Sequence, residues 1–243
     1  MLSISLSLFL NDRLNIIQTL FGQHCLLCGI PSNGDLCASC HDSLPHLPFH
    51  HCRVCALPVT GSGICGSCLA NPPAFDCTIA ALSYAFPVDA LVHSLKYQAN
   101  LPMALVLANL LLARINKDSL PDFIVPMPLH TVRLRERGFN QALEIGRRVA
   151  KQCGIPLLPD ICQRIKDTAS QAELPWKERE KNIRGAFTCE VDLCGKRIAM
   201  LDDVMTTGAT LNELAKVLRK HGAKHVSGWV AARTLSRALP HQS

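Results

Sequence analysis

The chain has 243 residues, 48% of them apolar, and a formal net charge of +6. That length admits one medium domain with a small module, or two domains at most, and that apolar content excludes global disorder. The mild basic excess suits anionic ligands such as phosphates or nucleic acid without selecting between them.

At the N-terminus Leu2, Leu6, Leu10, Leu14, Ile17 and Phe21 recur at helical spacing, which predicts an amphipathic helix over 1–20. The apolar run from Met1 to Leu10 is shorter than the roughly 20 residues a span requires. It also lacks the basic start and small-residue cleavage site of a secretion signal. No stable membrane insertion is expected, and the cytoplasm is the expected location.

Residues 21–72 are rich in Cys, His, Gly, Ser and Pro, with few aliphatics, so such a segment needs a staple. Eight of the 13 cysteines fall in four CxxC pairs: Cys25/Cys28, Cys37/Cys40, Cys52/Cys55 and Cys65/Cys68. Two residues between thiolates let both sulfurs of a tight turn face one ion, and two such turns complete a tetrahedral site. Two four-sulfur sites follow, most simply with Cys25, Cys28, Cys37 and Cys40 in one and Cys52, Cys55, Cys65 and Cys68 in the other. Interleaved pairing stays open. Zinc is the preferred ion over an iron–sulfur cluster or a redox dithiol, and an all-cysteine shell makes it structural. Cys77, Cys153, Cys162, Cys189 and Cys194 lack paired spacing and are read as small apolar residues.

After Asn71-Pro72-Pro73 the composition changes. Strands are predicted over 78–84, 123–127, 197–204 and 226–232, and helices over 101–116, 141–152 and 209–220. Strands separated by helices indicate a parallel α/β sheet, whose ligands sit at the carboxyl ends of strands. The segment holding Arg133, Arg135 and Arg137 is expected to be a mobile loop. Arg164, Lys166, Arg179, Lys181 and Arg184 form a second basic set, equally a solvated face, an active-site flap or a nucleic-acid patch.

The most informative stretch runs from Ile198 to Thr210. Ile198-Ala199-Met200-Leu201 reads as a buried strand ending in Asp202 and Asp203, followed by Val204, Met205 and the turn Thr206-Thr207-Gly208 before a helix near Ala209. Backbone N–H groups of such a turn, at a helix N-terminus, form a cradle for a phosphate. Gly208 permits close approach, and Thr206, Thr207 and Thr210 offer hydroxyl donors. Adjacent carboxylates one step earlier suit two vicinal sugar hydroxyls, with magnesium held nearby mostly by substrate oxygens.

This stretch resembles the phosphoribosyl pyrophosphate signature of type I phosphoribosyltransferases, and with the cysteine module ahead of it the chain resembles the ComF/GntX family. Further matches are 125–129, Arg137-Gly138-Phe139-Asn140-Gln141, Thr168 with Gln171, Arg179, Asn182, Gly185-Ala186-Phe187, and Lys96-Tyr97 in an earlier loop. The resemblance spans about residues 21–235. It implies a double zinc ribbon at 21–72, a phosphoribosyltransferase-like domain at 73–236 and a tail at 237–243.

It further implies displacement of pyrophosphate from a phosphoribosyl donor by a nucleobase-like acceptor, with magnesium. Asp202 and Asp203 would hold the ribose hydroxyls and the turn 206–210 the 5′-phosphate, with Val204 and Met205 also substrate-binding and Lys96 and Arg137 on the pyrophosphate. Tyr97, Asn140 and Gln141 are further candidate contacts; Asn140 and Gln141 serve equally well as caps of the following helix. The alternative implied is a non-catalytic, competence-type protein that uses the fold for ligand sensing, with single-stranded DNA or DNA-uptake proteins as partners. Against DNA binding by the ribbon itself, Cys25 to Cys68 contains one Arg and no Lys.

Overall fold

The computed structural model describes residues 24–61, 63–167 and 179–235; the expected N-terminal helix, Thr168, Gln171 and the tail from 237 lie outside them. The chain gathers into two compact units, Met1–Leu44 and Pro45–Ser243.

One small turn is built twice, once in each unit. In the first, the N–H of Cys25 donates to the carbonyl of Ile30 at 2.8 Å, and that of Gly29 to Cys25 at 2.8 Å. In the second, Cys52 donates to Leu57 at 2.7 Å and Ala56 to Cys52 at 2.8 Å. Closing the loop takes a left-handed residue just after the second cysteine, and Gly29 at φ 75° and Ala56 at φ 58° supply it. Each repeat ends in a five-residue helix, α1 (Ala38–Asp42) and α2 (Gly66–Ala70), entered through Cys37 and Cys65 respectively.

The larger unit continues with β1 (Cys77–Ser83), α3 (Val88–Gln98), α4 (Pro102–Leu112), β2 (Phe123–Pro126), α5 (Thr131–Arg137), α6 (Gln141–Cys153), β3 (Cys162–Arg164), α7 (Arg179–Ile183), β4 (Phe187–Cys189), β5 (Arg197–Met205), α8 (Ala209–Lys220) and β6 (His225–Arg233). Four strands make a wholly parallel sheet in the order β1-β6-β5-β2. Residues 156–158 extend it, since Ile124 donates to Pro156 at 2.9 Å and Leu158 to Ile124 at 2.9 Å.

Helices cover both faces. A Cβ on Gly146 of α6 would lie 3.0 Å from Leu157 and 3.9 Å from Leu201, so a side chain there would require Leu157 to give way. Gly228 faces the other way, against Leu211 of α8 at 3.3 Å. Leu201 pairs with Trp229, the neighbour of Gly228, and successive strand residues point to opposite faces. Burial on both sides explains the unbroken apolar run that opens β5.

Several expectations are corrected. The segment expected to be a mobile loop is helix α5: the His130 side chain accepts from the N–H of Val132 at 3.4 Å, and Gly138 at φ 81° closes the far end. Arg133 and Glu136 pair along it at 2.9 Å. Lys96 and Tyr97 stand on the last turn of α3 rather than on a loop. The helix expected over 101–116 stops at Leu112, where bonds tighten to Arg114→Leu111 (2.9 Å) and Ile115→Leu112 (3.3 Å). β5 runs one residue past the expected end, to Met205, and holds both aspartates as expected. An unexpected antiparallel pairing of β3 with β4 sets Cys162 opposite Cys189. Both are buried, and burial together with the neighbouring Cys189 pushes the Cys162 thiol up, as for inert apolar residues.

Candidate functional site

The carboxyl end of β5 carries two buried carboxylates, with Asp202 at 8% and Asp203 at 3% exposure. The backbone N–H of Asp203 donates to Asp202 Oδ1 at 2.9 Å. Lys96, from the last turn of α3, forms an ion pair with Asp203 Oδ2. Burial raises Asp202 well above the usual carboxylate range, and the charge of Asp203 adds to it. Burial also works against Asp203, but the charge and hydrogen bond of Lys96 outweigh it and hold Asp203 below its ordinary value. Burial disfavours the Lys96 ammonium, yet Asp203 more than compensates and raises it. Lys96 thus favours the ionised form of Asp203, while burial and the neighbouring Asp203 charge favour the protonated form of Asp202.

Two more cations stand close. Arg137 is near enough to Lys96 to oppose its charge; its Nη1 donates to Gln141 Oε1, and its guanidinium lies 5.8 Å from the ring centroid of Tyr97. Tyr97 is stacked at a tilt on His93, with centroids 4.7 Å apart. Arg164, at the end of β3, is held 5.9 Å over the Phe187 ring and feels the charge of Asp202. Three cations stand around two carboxylates, so this cluster carries excess positive charge and favours a polyanion.

Past Met205 the chain turns through Thr206, Thr207 and Gly208 into α8. Among the described residues, the N–H groups of Thr206, Thr207 and Gly208 donate to no protein acceptor. Gly208 adopts φ 85°, a backbone angle that calls for glycine, and a Cβ there would lie 2.7 Å from the Met205 methyl, which would have to move. Thr207 Oγ1 caps the N–H of Ala209 at 3.0 Å, and the first turn of α8 holds no acidic residue. Free N–H groups at the positive end of a twelve-residue helix form an anion cradle. A cavity of about 720 Å³ adjoins the turn, lined by Thr207, Gly208, Ala209, Asn212 and Phe75 and by Cys55, Cys68 and Arg233.

Asp202, Asp203, Lys96, Tyr97, Arg137 and Gln141 are thus brought together. Asn140 is otherwise engaged: its Oδ1 caps Ala142 at 2.9 Å and Leu143 at 3.3 Å, and its Nδ2 donates to Met127 at 3.0 Å. It ties α6 to the end of β2. Sequence reasoning singled out neither Arg164 as a neighbour of Asp202 nor Tyr84, which lies near Lys96 and Asp203. Arg164 was visible only as one member of a basic set.

The cysteines group consecutively: Cys25, Cys28, Cys37 and Cys40 together, and Cys52, Cys55, Cys65 and Cys68 together, with the sulfurs of each group within 4.8 Å of one another. Sulfurs about 2.3 Å from a tetrahedral zinc would stand about 3.8 Å apart; Cys28 and Cys37 are at 3.8 Å and Cys55 and Cys65 at 3.6 Å. Four thiols this close cannot all ionise without a cation: hydrogen bonding to Cys28 pushes Cys40 up to about 12, and burial pushes Cys55 up to about 11. Both groups fit structural zinc. Among the described residues, no helix is long and apolar enough to cross a membrane.

Residues 16–69 match the family model of the double zinc ribbon domain. The chain is 32% identical over 231 residues to Competence protein F of Haemophilus influenzae, covering 89% of this chain and 100% of that protein. It is 33% identical over 221 residues to DNA utilization protein YhgH of Salmonella typhimurium, covering 87% and 97% respectively. Among solved structures, the glutamine phosphoribosylpyrophosphate amidotransferase of B. subtilis is 20% identical with a TM-score of 0.36 over 53% of this chain; the chain spans about a quarter (26%) of that enzyme. With one-third identity running the full length of Competence protein F, the chain belongs to the ComF/GntX family, and its double zinc ribbon precedes a parallel α/β sheet.

Proposed function

We propose that the chain binds phosphoribosyl pyrophosphate as its magnesium complex and transfers the phosphoribosyl group to or from a nucleobase-like acceptor. The observation that carries this reading is the continuity of the buried Asp202–Asp203 pair with the free N–H turn at 206–208, beneath three cations. In this reading the turn donates to the 5′-phosphate, and the two carboxylates accept from the vicinal ribose hydroxyls. Lys96 and Arg137 face the pyrophosphate. As the bond from the anomeric carbon to pyrophosphate breaks and a bond to the acceptor nitrogen forms, negative charge collects on the leaving group. Fixed cations stabilise that charge without having to reorganise. Lys96 also neutralises Asp203 until substrate arrives.

Calorimetric titration of the zinc-loaded protein with phosphoribosyl pyrophosphate and magnesium tests the reading. Wild type is expected to bind, and the Asp202→Asn, Asp203→Asn double variant to lose binding. A folded, zinc-loaded wild type that gives no heat and no competition would refute it.

A second reading is supported by the relatives' names, Competence protein F and DNA utilization protein: the fold serves DNA handling without group transfer. Its basic residues lie in the sheet unit, at Arg133, Arg135, Arg164, Lys166, Lys181 and Arg184. Binding of single-stranded DNA that weakens steeply with salt, in protein showing no turnover of phosphoribosyl pyrophosphate, would favour it.

A further inference from the structure

Arg233 ends β6 with 1% exposure, and a buried guanidinium is costly unless its charge and donors are met. Among the described residues it pairs with no carboxylate. Its bonds go to four carbonyl oxygens: Nε donates to Cys55 at 2.7 Å, and Nη1 to Met205 at 3.0 Å, Thr234 at 2.8 Å and Thr206. Burial works against its charge, and the neighbouring Cys55, Cys68 and Cys65 favour it. A zinc ion with four thiolates has a net charge of about −2, so the loaded second cysteine group supplies the counter-charge that this guanidinium lacks.

The direction of these bonds matters for the turn. In a trans peptide the carbonyl and the following N–H point to opposite sides. Drawing the carbonyls of Met205 and Thr206 onto Arg233 therefore aims the N–H groups of Thr206 and Thr207 away from it, which leaves them free of protein acceptors. One side chain thus bonds both a metal-ligand residue, Cys55, and the back of the anion cradle.

We propose that Arg233 is a positioning residue that couples the second four-cysteine site to the phosphate turn. It presents the N–H groups of Thr206 and Thr207 to the anion, and the metal at Cys52, Cys55, Cys65 and Cys68 keeps it in place. The functional value of this coupling rests on the phosphate reading of the turn. The coupling itself is measurable without any substrate.

The test uses the full-length, zinc-loaded protein and Arg233→Lys, which keeps the charge but cannot span four carbonyls. Thiol alkylation under a zinc chelator, read peptide by peptide, separates the two cysteine groups within one chain. Amide exchange in the peptide spanning 201–212 reports on the turn, with β2 as internal control. In Arg233→Lys, alkylation at Cys52 to Cys68 should speed at least about tenfold, the scale of lost charged hydrogen bonds. Alkylation at Cys25 to Cys40 should keep its rate, and exchange should rise in 201–212 but not in β2. Should the variant not fold, wild type stripped of its second zinc must show the same rise in the turn. Unchanged alkylation, or faster alkylation with an unchanged turn, overturns the coupling. If both changes occur but wild type binds no phosphoribosyl pyrophosphate, the coupling stands and the proposed function fails.

Discussion

Replacing Lys96 by Met removes the cation from beside Asp203 while keeping most of the side-chain volume. Breaking a buried ion pair by deleting one partner costs roughly 3–5 kcal/mol, because the remaining charge is stranded. Asp203 can escape by taking up a proton. At pH 7 that costs about 1.4 kcal/mol for each of the roughly three units above an ordinary carboxylate pKa, so the loss is capped near 4 kcal/mol. At pH 6 the same cap falls to about 3 kcal/mol. In wild type, Asp203 has a depressed value, so its contribution is present above the ordinary carboxylate pKa and fades as pH falls through the folded one. Lys96 has a raised value, so its contribution is complete below its ordinary pKa and fades as pH rises through the folded one. Urea unfolding at saturating zinc should therefore show Lys96→Met less stable by about 3–4 kcal/mol at pH 7 and by less at pH 6. Adding Asp203→Asn should recover about 2 kcal/mol by removing the stranded charge. A loss that is equal at both pH values and unrelieved by Asp203→Asn would refute the ion-pair account.

Two further outcomes are expected. Gly208→Ala forces a side chain into φ 85° and against the Met205 methyl, so thermal unfolding should show a loss of about 1–3 kcal/mol and calorimetry a loss of phosphoribosyl pyrophosphate binding. Burial and the charge of Asp203 favour the protonated form of Asp202, so a ligand that needs its carboxylate works against that preference. Calorimetry in buffers of differing ionisation enthalpy should show proton release on binding that declines as pH rises through the folded Asp202 value; binding with no buffer dependence at any pH would contradict it.

The legible parts of this chain are those whose physical requirement is local. Paired CxxC spacing announces two metal sites because two sulfurs of one turn must face one ion. The buried run into Asp202-Asp203, then Thr206-Thr207-Gly208, announces a candidate anion turn because strand, glycine and helix start follow one another directly. Helix α3 was there to be read as well, since Val88, Leu91, Val92 and Leu95 are all buried at helical spacing. A proline at its entry and a short preceding loop masked it. The basic segment of α5 misleads because seven residues are too few for periodicity, and its caps, His130 and Gly138, decide the outcome. Lys96, Arg164 and Arg233 meet their partners across 107, 38 and 178 positions of sequence, at Asp203, Asp202 and Cys55. No spacing rule reports such a meeting.

Repetition of the cysteine turn does not make its two copies equivalent. The first lies in the unit that ends at Leu44. The second is bonded into the sheet: Thr78 of β1 donates its N–H to Arg53 at 3.1 Å and its hydroxyl to Val54 at 2.6 Å, and Arg233 of β6 donates to Cys55 at 2.7 Å. A fold this sparing of aliphatics around its cysteines must take rigidity from the metal. In the second copy the Thr78 bonds tie the cysteine group to the start of β1, and the Arg233 bonds tie it to the end of β6 and to the turn after β5. The same chemistry thus holds a small unit together in one place and braces the edge of a candidate active site in the other. What decides between them is which backbone carbonyls the neighbouring strands can reach.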